Sequence, residues 1–121
     1  MAAGPRLRFQ ADQRLRRPAE FQRVYSGGRR FGNALLTAAV HTSQLSHARL
    51  GLSIAARTIG NAVQRNRLRR QIRDSFRLQQ QALPPVDIVI GARVAARTAS
   101  GAELRASLLQ LWEQIATQCA R

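Results

Sequence analysis

The sequence predicts helices packed on a small sheet, a sandwich of α/β or α+β class, and three observations carry that prediction. Apolar residues alternate with a period of two in RLGLSIAA (49–56) and VDIVIGAR (86–93). They recur at helical spacing after each of these stretches. Along the chain the patterns run helix, strands, helix, strand, helix, and 121 residues make one compact domain. No internal repeat or composition break divides it.

The first eleven residues contain arginine and no acid, and with Pro5 they read as a disordered basic arm, 1–12, ahead of a single sandwich domain, 13–121. RRPAEFQRVYSGG (16–28) reads as a short helix, with Pro18 in its first turn and Gly27–Gly28 as its stop. Phe21 and Tyr25, at i and i+4, share one face of it. ALLTAAVHT (34–42) reads as a strand, followed by a polar loop around SQLSH and then by the strand RLGLSIAA. Leu50, Leu52, Ile54 and Ala56 point to one side of that strand. Arg49, Gly51, Ser53, Ala55 and Arg57 point to the other, making it small, polar and edged with arginine. A long helix follows from Asn61 to near the ALPP turn (82–85), then the strand VDIVIGAR. The last helix opens on a capping box, Ser100 with Glu103, and carries the stripe Leu104, Leu108, Leu111, Trp112 and Ile115. That spacing assigns Trp112 to the core.

Charge is the most informative part of the composition. Twenty basic residues against six acids give a formal net charge of +14, and every basic residue is arginine. Self-repulsion on this scale opposes the compact state, and a polyanion, above all a nucleic acid, is its natural counterweight. The absence of lysine excludes a lysine nucleophile or Schiff base. A lone cysteine, Cys119, excludes an internal disulfide and a Cys-rich zinc site, and fits a reducing, cytoplasmic compartment. No run of about 18 apolar residues is present to span a membrane. The acids Asp12, Glu20, Asp74, Asp87, Glu103 and Glu113 are scattered along the chain, without the paired carboxylates of a two-metal nuclease. His41 and His47 have no evident catalytic partner in the sequence. Binding chemistry remains.

NAVQRNRLRRQIRDSFR (61–77) concentrates that chemistry. At about 100° per residue, Leu68, Ile72 and Phe76 form a packing stripe with Ser75 and Gln79 beside it. Asn66, Arg70, Arg73 and Arg77 form a ridge on the opposite side, suited to a run of phosphates. Arg65 and Arg69 fall close to the apolar stripe, where an unpaired buried guanidinium is costly. They must overhang the sheet or line a groove beside it, with Arg57 just upstream. A structural RNA-binding protein and a DNA-reading helix both remain open on these features. The latter lacks a helix-turn-helix partner ahead of the basic helix.

RLGLSIA, GNAVQRNRLRRQIRDSFR and DIVIGAR together resemble the protein subunit of bacterial ribonuclease P. Arg65, Asn66 and Arg67 match the family's RNR core, and Arg69, Arg70, Arg73, Phe76 and Arg77 match the rest of that motif. Upstream, Glu20, Phe21, Tyr25 and Gly28 fit its EFxxVFxxG pattern, and ELRASLLQLW fits its terminal helix. The resemblance covers nearly all of the chain beyond the first dozen residues. It implies an α+β fold, a two-layer α/β sandwich with a small mixed sheet of about four strands and three helices, ribosomal-protein S5 domain 2-like. It also implies a holoenzyme in which a catalytic RNA removes the 5′ leader of precursor tRNA, with Mg²⁺ held mainly by that RNA and none by the protein alone. The protein, expected to be monomeric by itself, would bind the RNA through Arg65, Asn66, Arg67, Arg69, Arg70, Arg73 and Arg77. Phe21, Tyr25, Arg49, Ser53 and Arg57 would line a cleft for the leader, with no catalytic residue in the chain. Two departures stand out. Ala56 replaces the first of two basic residues usual after the strand, and Arg69 stands where the family has lysine, exchanging a compact ammonium for a planar fork.

Overall fold

The computed structural model describes residues 13–43 and 45–119, so the expected basic arm, residues 1–12, lies outside the described residues. The elements run α1 (Pro18–Gly27), β1 (Arg29–Gly32), β2 (Leu36–Thr42), β3 (Arg49–Ser53), α2 (Ala56–Ile59), α3 (Ala62–Gln79), β4 (Val86–Ala92) and α4 (Gly101–Cys119). The sheet order is β1-β2-β4-β3, with β3 parallel to β4 and the other pairs antiparallel. The parallel pair needs a crossover, which α2 and α3 supply. This is the α+β fold with a four-stranded mixed sheet that the resemblance implied.

Even-numbered residues of the three longer strands, including Ala38, Val40, Leu50, Ile88 and Ile90, point to one face and are buried under α3 and α4. Leu68, Ile72 and Phe76 of α3 are buried there too, as the spacing predicts. Trp112 of α4 meets Phe76 edge-on, with ring centroids 5.9 Å apart, and its Nε1 donates to Ser75 Oγ at 2.7 Å. The tryptophan belongs to the core. The expected Ser100 box is also present: Ser100 Oγ accepts from Glu103 N at 3.1 Å, and Glu103 accepts from Ser100 N at 2.8 Å.

Three boundaries differ from the sequence reading. β1 is a strand that alternation cannot reveal, because four residues paired on one edge are too short to show a period. β2 starts at Leu36 because Asn33 Oδ1 accepts from the N–H groups of Leu35 and Leu36, a turn that takes the Leu35 N–H from the ladder although Leu35 O still accepts from Arg93 N at 2.8 Å. β3 stops at Ser53, opposite Gly91. Ala55 O then accepts from Ile59 N at 3.0 Å, starting the single turn α2, so Arg57 is helical rather than at a strand's end. Gly60, at φ +121°, then redirects the chain in a backbone region that favours glycine. Asn61 and Gln64 exchange side-chain and backbone hydrogen bonds at 2.9 and 3.1 Å, a capping box that starts α3 where the arginine motif begins.

Candidate nucleic-acid interface

The second face of the sheet carries odd-numbered residues, and α1 covers half of it. Val24 of α1 packs with Leu15, Ala39 and Val89 in a small second core, joined by Phe21. Gly51 makes this packing possible: a Cβ there would lie 2.7 Å from Phe21 Cζ and 2.9 Å from Leu15 Cβ. The sandwich thus has its two main layers and a partial third.

An ion-pair network locks α1 down. Asp87 of β4 is fully buried. It receives Arg49 Nε and Nη2 at 2.8 Å each and Arg23 Nη2 from α1 at 2.9 Å. Arg49 Nη1 donates to Glu20 Oε2 at 3.0 Å. Glu20 also accepts from the backbone N–H groups of Arg17 and Arg16, and these bonds, aided by Arg49, hold its carboxyl below the usual value. The hydrogen bonds that Arg49 donates to Asp87 raise the Arg49 pKa above the ordinary arginine value. Arg49 was expected to offer its charge to the cleft floor. Instead its guanidinium is committed to two carboxylates and its side chain is only 13% exposed, so it fastens the helix to the sheet.

The uncovered half is a row of small residues in register: Gly32 beside Thr37, Thr37 beside Gly91, and Gly91 beside Ser53. Thr37 leans across the row, since a Cβ at Gly91 would meet Thr37 Oγ1 at 2.6 Å. The sequence reading found Ser53, which is exposed, but not Gly32, Thr37 or Gly91. Phe21 is half-buried on the α1 side of this face, whereas Tyr25 is 38% exposed. The guanidinium of Arg30 sits 5.3 Å from the Tyr25 ring centroid and donates to Tyr25 O at 3.2 Å. Arg57 is exposed on α2, one step beyond Ser53 along the chain's exit from the sheet. The combination of a shallow polar floor with aromatic and cationic rims suits an unpaired, charged strand.

On α3, Asn66, Arg67, Arg70 and Arg73 are exposed, and Arg65, Arg69 and Arg77 are half-buried. Arg65 Nε donates to Gly60 O at 3.2 Å, and Arg69 Nη1 donates to Asn66 Oδ1 at 3.1 Å. Arg65 and Arg69 therefore do lie partly against the body of the protein. Residues 13–15 run beside β3, with Leu15 N donating to Leu50 O at 2.9 Å, and bring Arg14 close to this helix. Burial, with the charges of Arg14 and Arg69, lowers the pKa of Arg73. Like charges are being held together here, which disfavours the unbound protein and is relieved by a bound anion. No sequence signal marked Arg14. Among the described residues, no three His, Cys, Asp or Glu side chains group to hold a metal ion, and no helix is long and apolar enough to cross a membrane.

The ribonuclease P family model matches residues 9–116. The chain is 37% identical over 112 residues to the ribonuclease P protein component of Thioalkalivibrio sulfidiphilus, covering 93% of each chain. It is 36% identical to that of Methylococcus capsulatus, over 93% of this chain and 88% of the relative. Among solved structures, the Staphylococcus aureus RNase P protein superposes with a TM-score of 0.79 at 30% identity, over 86% of this chain and 94% of that one. The Thermotoga maritima RNase P protein gives 0.77 at 27% identity, over 84% and 96%.

Proposed function

Because this chain belongs to the ribonuclease P protein family, we propose that it is the protein subunit of a tRNA-processing endoribonuclease, binding the catalytic RNA and the 5′ leader of precursor tRNA. The observation that carries the reading is the arginine cluster of α3, fixed to the sheet by Leu68, Ile72 and Phe76 beside an open row of small residues. The catalytic RNA takes the ridge of exposed Asn66, Arg70 and Arg73 and half-buried Arg77, together with Arg65, Arg67 and Arg69. The leader lies along Ser53, Thr37 and Gly91, between the aromatic rim of α1 and Arg57. In this reading hydrolysis belongs to the RNA, with Mg²⁺ held mainly there, as the resemblance to the family implies. What the chain contributes is grip and alignment: phosphates neutralised by arginine, and leader bases stacked on aromatic rings.

A ribosomal-protein-like RNA binder would share the charge and the salt dependence. It would not accelerate leader removal. The test is to add the chain to the catalytic RNA and precursor tRNA at low Mg²⁺, where faster release of the leader is expected and an unchanged rate would refute the function.

The cleft has its own prediction. Tyr25→Ala removes an exposed ring, and should weaken precursor tRNA by about 1–3 kcal/mol while mature tRNA is bound as before. Tyr25 is a cleaner probe than Phe21, whose ring also packs in the second core. Equal weakening of both tRNAs, measured as holoenzyme affinities, would remove the leader from this cleft.

A further inference from the structure

Arg65 and Arg67 belong to one motif but not to one surface. At about 100° per residue they lie about 160° apart on α3. Arg65 shares its flank with Arg69, toward the side where Arg14 approaches. Arg67 shares the other with Gln64 and Gln71, toward the start of α4. There the helix meets a 3-10 turn, Val94–Arg97, that leads from β4 into α4. Arg67, Gln64, Gln71 and Arg97 line one cavity of about 60 Å³ whose remaining walls include Leu68 and Leu104. At roughly 30 Å³ per water, that is room for two waters or for the oxygens of one phosphate group.

Two features make this more than a solvated patch. Neither Arg67 nor Arg97 is in an ion pair among the described residues, and the Glu103 carboxylate in the first turn of α4 accepts from Ser100 N at 2.8 Å. Gln71, which lines the same cavity as the two arginines, has a buried Oε1 with no hydrogen-bond partner, an acceptor lacking a donor. A buried acceptor left unmatched costs about 1–3 kcal/mol, so a ligand that supplies a donor gains by doing so. The RNA backbone presents both halves of the complement. Phosphate oxygens accept from arginine, and the adjacent ribose 2′-hydroxyl can donate to Gln71 Oε1.

We propose that Arg67, Gln71 and Arg97 form a second backbone site for the catalytic RNA, on the flank of α3 turned away from Arg65 and Arg69. α3 then holds RNA on both flanks, and the turn after β4 becomes part of the interface. This inference rests on the proposed function. Arg97 is exposed and outside the core, so its replacement tests the site without disturbing the fold.

Binding of the full chain to the catalytic RNA is measured against salt concentration for the wild type, Arg97→Ala and Arg97→Lys. Arg97→Ala should flatten the dependence of log K on log salt by about 0.7–0.9, the loss of one phosphate contact, and Arg97→Lys should restore it. The thermal midpoint and the preference for precursor over mature tRNA should not move. Gln71→Leu should leave the salt slope in place and reduce the discrimination of RNA from a 2′-deoxy version of the bound segment. An Arg97→Ala variant with unchanged affinity and slope would overturn the site. Loss of precursor preference with catalytic-RNA affinity intact would also overturn it, by placing the leader there. If the wild-type chain fails to bind the catalytic RNA, the function itself falls and the site with it.

Discussion

Asp87→Ala is expected to destabilise the protein by about 3–5 kcal/mol, with the partly exposed Arg23 pulling the value toward the lower end. The reason is the charge left behind. Asp87 is fully buried and satisfies Arg49 through two bonds of 2.8 Å, and among the described residues Glu20 is the second acidic partner of Arg49. Removing the carboxylate leaves a largely buried guanidinium with Glu20 as its remaining acid among the described residues, while Arg23 of α1 loses its anchor in the sheet. The consequence extends beyond stability. Arg23 lies two residues from Phe21 and from Tyr25, so a loosened α1 displaces both aromatic residues of the proposed cleft. Chemical denaturation reads the first effect and precursor-tRNA affinity the second. A loss below about 1 kcal/mol would mean that water relaxes into the network and that α1 is held by Val24 and its apolar neighbours alone.

Phe76→Ala should cost about 3–5 kcal/mol, because its ring is fully buried between the sheet and Trp112. Phe76 sits inside the arginine motif, yet it makes no surface for a ligand. Its role is to hold the helix whose other side carries the charge. Arg73→Ala, three residues away and exposed, should leave the unfolding midpoint nearly unchanged and weaken RNA binding. The contrast between the two variants separates the packing side of α3 from its binding side. Similar unfolding midpoints for both would contradict the division.

Much of this division could be read from residue spacing alone. Leu68, Ile72 and Phe76 repeat at four, and that repeat identified the buried stripe, the ridge opposite it, and the anomaly of Arg65 and Arg69. Ser100 and Glu103 marked the start of α4 because a capping box is a local pattern. Arg49 shows where local patterns stop. Strand alternation placed it correctly on the second face, but its partners, Glu20 and Asp87, are 29 and 38 residues away and nothing nearby in sequence announces them. The same is true of Arg14, which reaches α3 only because residues 13–15 run beside β3, and of Arg97, which the turn after β4 brings to the cavity that Arg67 also lines. Gly91 and Thr37 became part of the floor through strand register, which a single strand's pattern does not specify. Periodicity tells which face a residue occupies; the partner across space is set by tertiary packing.

In the proposed function this chain grips RNA and leaves the cutting to it. The most direct measurement compares precursor tRNA incubated at low Mg²⁺ with the chain alone, the catalytic RNA alone, and the two together. No leader release is expected from the chain alone, and faster release from the pair than from the RNA. Leader release by the chain alone, or equal rates with and without it, would refute the proposed division of labour.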